Sequence, residues 1–285
     1  MIEIYLLEQL VSFSKYGTLS ATAEHLHISQ PAVTNSMKKI EKLMGVPLFE
    51  RRKNKITLNE NGQLAAELAE NILEQIHEMM TRVISFDKSK HTITLGSCAP
   101  VPVSDIVPIL SRLYPDMTIS SELKIDESEL LIGLQDDRYQ VIVVHKKPLG
   151  QFYKQPYRKE QLYLMVPLNH PLSKYNELHL SDIDGQNLLL YTNIGFWNNM
   201  CKEHLTNSHF LMMDEMSVMG EAISTGAFPS FTSNIMMKEN DVPNTHKTIP
   251  IVDEEAQASY YCVCKPENKK RFSSLFHEIS QIDNN

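Results

Sequence analysis

The run "SQPAVTN" from Ser29 to Asn35 gathers short neutral side chains and is followed at once by Lys38, Lys39 and Lys42. A Gln or Asn amide can pair with adenine N6 and N7, Thr can bond a base edge or touch a thymine methyl, and alanine permits close approach. This is recognition chemistry rather than bond-making chemistry. Gln30, Thr34 and Asn35 are the expected base readers, with Ser29, Pro31, Ala32 and Lys38 against the duplex around them. Further along, "LFERRKNKITLN" sets Arg51, Arg52 and Lys53 together at a turn, a grip suited to phosphates or a narrow minor groove.

Thiols are the other reactive groups. Cys98, Cys201, Cys262 and Cys264 are scattered apart from one C-x-C, which is neither a disulfide framework nor a four-ligand zinc spacing. They are expected to be reduced and mostly packed, with no metal and no organic cofactor. A cysteine or histidine enzyme would need a recognisable nucleophile or phosphate-binding arrangement. No Gly-rich phosphate loop, H-E-x-x-H or G-x-S-x-G occurs in the 285 residues. A thiol-based redox sensor stays open as an alternative, with Cys98 as its candidate thiol.

The base readers need a helix to carry them. Ser20 is a candidate N-cap for about two turns in which Ala23, Leu26 and Ile28 face inwards. Ser29 then caps a second helix with Pro31 in its first turn, where Val33, Met37, Ile40 and Leu43 or Met44 repeat at helical spacing up to Gly45. Two helices across a tight turn make a helix-turn-helix whose second member enters the major groove. Leu48 and Phe49 plug the core, and "KITL" returns as a short strand that closes a wing.

The segment "AEHLHISQPAVTNSMKKIEKLMGVPLFERRKNKITLNENG" resembles the winged helix-turn-helix of LysR-type transcriptional regulators, and the resemblance covers residues 1–62. Ala23, Leu26, Ser29, Gln30, Pro31, Ala32, Val33, Ile40, Leu43, Gly45, Leu48, Phe49, Arg51, Leu58 and Gly62 sit where that pattern has them. The resemblance implies double-stranded DNA with an inverted-repeat operator as partner, a homodimer or homotetramer, a small-molecule effector and contact with RNA polymerase. It also implies three regions: a DNA-binding domain over 1–58, a dimerising linker helix over 59–89 and a two-lobed, periplasmic-binding-protein-like α/β effector domain over 90–285.

Charge agrees with that division. Residues 1–62 hold 8 Lys and Arg against 6 Asp and Glu, whereas the whole chain carries a net charge of −8. A local positive patch on an acidic protein directs one surface to DNA and keeps the rest off it. From Asn59, Leu64, Leu68, Ile72, Ile76, Met79 and Val83 recur at spacings of three and four with no proline. The spacing predicts a helix to about Ser85 with a narrow apolar stripe and acidic flanks, a seam that needs a second helix.

Beyond "FDKSKH" the pattern becomes strand–helix–strand, first through "TITLG", "MTISSEL" and "QVIVVH", then through "QLYLMVP", "NLLLY", "FLMMDE", "FPSFT" and "ASYYCVC". Two lobes are expected, about 90–160 with 265–285 and about 161–264, with a cleft between them. Open α/β sheets bind ligands beyond the carboxyl ends of their strands. Those ends carry Ser97, Cys98, Asp126, His145, Lys146, Thr192, Asn193, Ser230 and Thr232, the expected effector contacts. Ser97 and Thr192 are expected to begin facing helices and so favour an anionic or strongly polar effector, with Lys146 as a further charge. The start "MIEIYLLEQLVSF" lacks the features of a signal peptide, and no apolar run spans a membrane, so a cytoplasmic protein is expected.

Overall fold

Leu6, Leu7, Leu10 and Phe13 recur on one face of α1 (Ile4–Tyr16), which stops at Gly17 in the left-handed conformation, φ 72°. The computed structural model describes residues 1–52, 55–239 and 242–282. It divides into two units, residues 1–84 and 85–285. In the first, α2 (Leu19–His25) is capped by Thr18, whose hydroxyl accepts from Ala21 N–H at 3.2 Å. The expected cap, Ser20, lies inside the helix, because Thr18 already holds the extended backbone that a cap needs. His27 makes the tight turn with φ 54°.

Ser29 caps α3 (Gln30–Met44) as expected, and Gly45 ends it in the left-handed region. Val33, Met37 and Ile40 are buried against α1, but Ile28, Leu43 and Met44 are largely exposed, so the apolar stripe is narrower than expected. The wing is β1 (Phe49–Arg52) paired antiparallel with β2 (Lys55–Leu58), Phe49 opposite Leu58. Phe49 meets Phe13 edge-on at 5.7 Å in the core of this unit.

α4 (Glu60–Ser89) begins where Asn59 accepts from Gly62 N–H at 2.9 Å. It runs four residues past the expected end. A Cβ on Gly62 would lie 2.2 Å from the Leu48 carbonyl oxygen, so only glycine lets the helix start pack on the wing base. Ala65, Ala66 and Ala69 bury one side of α4 in the head's core, while Leu64, Leu68, Ile72, Met79 and Val83 remain 44–64% exposed. Ile76 is half-buried.

In the second unit, β3 (Thr92–Ser97), α5 (Pro100–Leu113), β4 (Thr118–Leu123), α6 (Glu127–Gln135) and β5 (Val141–Val144) form parallel strands with crossing helices. β6 (Tyr153–Pro167) is twice the expected length and runs from one lobe into the other. The second lobe adds α7 (Leu180–Ile183), β7 (Asn187–Tyr191), α8 (Trp197–His204), β8 (His209–Met213), α9 (Met216–Ser224), β9 (Ser230–Ser233), α10 (Met236–Glu239) and β10 (His246–Pro250). β11 (Gln257–Cys264) returns between β5 and β6, which moves it from the second lobe to the first, and α11 (Ser273–Ser280) closes the chain. Along the sheet the order is β4-β3-β5-β11-β6-β9-β7-β8, with β10 beside β6. Val141 to Val144 are buried on both faces, as a parallel strand covered by helices requires. The strands β6 and β11 thus join the lobes, and the carboxyl ends of β3 and β5 face the start of α6.

Candidate functional sites

On the head, Ser29, Gln30, Pro31, Ala32, Asn35 and Lys38 are exposed along the first turns of α3. Gln30 Oε1 accepts from Ser20 Oγ at 3.1 Å, which holds the amide on α2. The Thr34 hydroxyl donates back to the Gln30 carbonyl at 2.9 Å, a local bond that leaves its methyl as the outward group. Arg51 and Arg52 are exposed on the wing, and Lys53 lies outside the described residues. Arg51 is anchored rather than loose: its guanidinium meets Glu41 Oε2 at 2.7 Å, while Glu41 Oε1 accepts from Leu48 N–H and Phe49 N–H. Sequence reading missed Glu41, a carboxylate on α3 that ties the wing to the reading helix.

At the strand ends of the second unit the expected geometry is corrected. α5 starts at Pro100 with Ala99 as its N-cap, and the buried Ser97 hydroxyl donates to Ala99 O at 2.7 Å. Thr192 starts no helix either. α8 begins at Trp197, and Thr192 Oγ1 donates to Met213 O and, at 2.7 Å, to an Asp214 carboxylate oxygen. Paired helix starts for an anion are therefore not built here, and the hydroxyls expected to bind it are already engaged. Asp126 is exposed and caps α6 through Ser128 N–H. Lys146 and Asn193 are exposed, whereas Ser230 and Thr232 are buried on β9. The Ser230 hydroxyl has no hydrogen-bond partner among the described residues.

Cys98 and His145 do come together, and they bring a residue that sequence reading missed. His145 Nδ1 lies 2.7 Å from Glu127 Oε1, and ligand atoms of Cys98, Glu127 and His145 all lie within 4.8 Å of one another. The three belong to the ends of β3 and β5 and the first turn of α6, 18 to 47 positions apart, so no local motif announces them. Over them sits the loop before α8. Phe196 N–H donates to the Cys98 carbonyl at 2.8 Å, and the Phe196 ring stacks on His145 at 4.0 Å with planes 8° apart. Trp197 packs against Phe196 at 4.3 Å. Gly195, with φ 62°, lets this loop touch the Cys98 backbone.

The Cys98 thiol is fully buried, and burial followed by the Glu127 charge pushes it well above its ordinary value. Glu160 lies close enough to add to that effect. On β6, Glu160 is buried and accepts from the Tyr260 hydroxyl, with further bonds to Ser233 and Trp197. Burial raises its carboxyl above the usual range against those bonds. The unfolded chain therefore releases this proton first, so the stability contributed by protonated Glu160 is complete below the ordinary glutamate value and falls as pH rises through the folded one. Glu160→Gln keeps an acceptor for Tyr260 and is expected to lose less stability than wild type between about pH 5 and pH 8. Urea unfolding at both pH values checks this, and identical losses in variant and wild type would contradict it.

Comparison with known proteins follows the same division. Residues 4–63 match the family described as bacterial regulatory helix-turn-helix protein, lysR family, and residues 88–278 match the LysR substrate binding domain. The hydrogen peroxide-inducible genes activator of Haemophilus influenzae is 22% identical over 276 residues, 93% of this chain and 91% of that protein. The Hca operon transcriptional activator HcaR of Escherichia coli is 27% identical over 199 residues, 66% of this chain and 64% of that protein. In fold, the chain is similar to a full-length OxyR variant from Pseudomonas aeruginosa, with TM-score 0.51, 17% identity and coverage of 99% and 95%. No helix among the described residues is long and apolar enough to cross a membrane. With its winged head matched over one family segment and its two-lobed domain over the other, the chain belongs to the LysR family of transcriptional regulators, a DNA-binding helix-turn-helix joined to an effector-binding domain.

Proposed function

We propose that this regulator works in the cytoplasm as a homodimer, or a dimer of dimers, that binds an inverted repeat through two winged heads and changes their placement when an effector fills the cleft at the strand ends. The observation that carries this reading is the exposed stripe on α4, an apolar seam of Leu64, Leu68, Ile72, Met79 and Val83 left open by one chain alone. The head spans 1–58, the linker 59–89 and the effector domain 90–285. RNA polymerase is the expected partner at promoters. No catalytic role is assigned to the chain.

Two side chains separate affinity from sequence choice. Arg51→Ala is expected to weaken cognate and random DNA alike, because phosphate contacts carry no sequence. It also frees Glu41, which then repels the backbone. Gln30→Ala is expected to lose about 1–3 kcal/mol on the cognate site and little on random DNA. Fluorescence anisotropy with both duplexes at fixed salt makes the comparison. Equal losses for Gln30→Ala on the two duplexes contradict its role as a base reader.

The peroxide-inducible name of one relative raises the thiol-sensor reading for this chain. All four cysteines are buried. Burial pushes Cys201 and Cys264 up to about 12 and Cys98 well above its ordinary value. Oxidation needs an accessible thiolate, so ligand binding is favoured over thiol oxidation as the signal. The ligand's charge also follows from the cleft. Glu127 lies there beside Cys98 and His145, and its carboxylate disfavours the anion that the strand-end hydroxyls suggested.

A further inference from the structure

Three facts about the strand ends stand apart from the DNA-binding role. Cys98, Glu127 and His145 offer sulfur, carboxylate oxygen and imidazole nitrogen within 4.8 Å of one another. Their positions come from the sheet itself, since Cys98 N–H bonds the Val143 carbonyl at 3.0 Å and the Glu127 carboxylate accepts from His145 N–H. Phe196 lies over them, its ring stacked on His145 and its backbone N–H bonded to the Cys98 carbonyl.

The geometry points to a thiophilic divalent cation of the zinc class as the effector, held by Cys98 Sγ, a Glu127 carboxylate oxygen and a His145 ring nitrogen. This rests on reading the strand-end cleft as the effector site. Sulfur with imidazole selects zinc, cobalt and their neighbours over magnesium and calcium, which prefer all-oxygen shells. The site has three protein ligands, the number that leaves a fourth position for water or a small ligand.

Binding is a balanced exchange. The Cys98 S–H bond breaks, its proton goes to solvent, and the thiolate donates to the cation. The hydrogen bond between His145 and Glu127 breaks as both turn to the cation, and its proton ends on the His145 ring nitrogen that does not bind the cation. At bond lengths of about 2.0–2.3 Å, ligand atoms around one zinc ion stand roughly 3.3–3.8 Å apart, wider than the 2.7 Å between His145 Nδ1 and Glu127 Oε1. Parting to admit the ion shifts His145 under the Phe196 ring. The loop from Gly195 to Trp197 then loses its stack while its bond to the Cys98 carbonyl moves with the strand. Cation binding in the first lobe is in this way felt by α8 in the second.

The test uses the full-length chain, cobalt(II) as the spectroscopic probe and zinc(II) as competitor. Trp197, the only tryptophan, reports the loop because it packs on Phe196. Expected are one cobalt per chain with thiolate-to-cobalt charge-transfer absorption, displacement by zinc, and a change in Trp197 emission that saturates at the same ratio. Cys98→Ser should abolish the absorption, Glu127→Gln should weaken binding by at least about 10-fold, and Cys201→Ser should leave both unchanged. Melting curves of each variant show that it is folded. Absence of the absorption in the wild type, or its persistence in Cys98→Ser, overturns the cation proposal. A separate arm tests the cleft itself: Phe196→Ala without metal should alter the DNA footprint. A shifted footprint with no cobalt signal removes only the cation, whereas an unchanged footprint removes the cleft as the control site.

Discussion

Ile72→Glu is expected to break the proposed dimer into monomers and to reduce affinity for an inverted repeat by about 100-fold or more. Ile72 lies mid-stripe on α4, in a shallow groove with Leu68, Asn71, Glu74, Gln75 and Glu78. A partner helix that covers this groove would bury the new carboxylate in an apolar seam already flanked by Glu74 and Glu78, at a cost of several kcal/mol. The loss is large because, in the proposed dimer, two heads engage two half-sites on one duplex. Ile72→Val keeps the seam apolar and should remain dimeric. Sedimentation velocity reads the assembly, and anisotropy reads the affinity. A dimeric Ile72→Glu variant at micromolar concentration contradicts the seam.

Gly195→Ala carries the second large effect. A Cβ there would lie 1.9 Å from the Cys98 carbonyl oxygen and 3.0 Å from Ala99 Cα, both backbone atoms that cannot step aside. The left-handed φ of 62° adds strain for any residue with a side chain. The loop must lift, and with it go the Phe196 N–H bond to Cys98 and the ring stack on His145. The effector domain is expected to lose on the order of 2–4 kcal/mol, a fall in its thermal midpoint of roughly 5–15 °C. The isolated recognition surfaces of the head are untouched, so binding to random DNA should persist below that midpoint. Calorimetry of the full chain reads the transition, and an unchanged midpoint would show that the loop is not seated on Cys98.

Local rules made the head legible. Ser29 caps, Gly45 terminates, and Val33, Met37 and Ile40 repeat, so α3 followed from residues close together in the chain. The wing was legible for the same reason, since "KITL" pairs antiparallel with "FERR" close by in the chain. Thr18 took the cap of α2 from Ser20 because both are good caps and the choice depended on where the extended backbone ended. In the second unit, strand ends were legible but their contacts were not. Position alone marks Ser97 and Thr192 as ligand donors, yet a local bond to the Ala99 carbonyl and a distant one to Asp214 take their hydroxyls. Glu127 was passed over for its neighbour Asp126, although it is Glu127 that turns to His145. A cluster assembled from two strand ends and a helix start leaves no spacing in the chain, and β6 hid its length because its first half is polar and crosses between lobes.

Genome-wide footprinting of the full-length chain tests the central claim most directly. A dimeric winged-helix regulator is predicted to protect sites that share an inverted repeat, with half-site centres separated by about 10–10.5 base pairs or a multiple of that turn. Protection without a shared sequence, or of single unpaired half-sites, would contradict it.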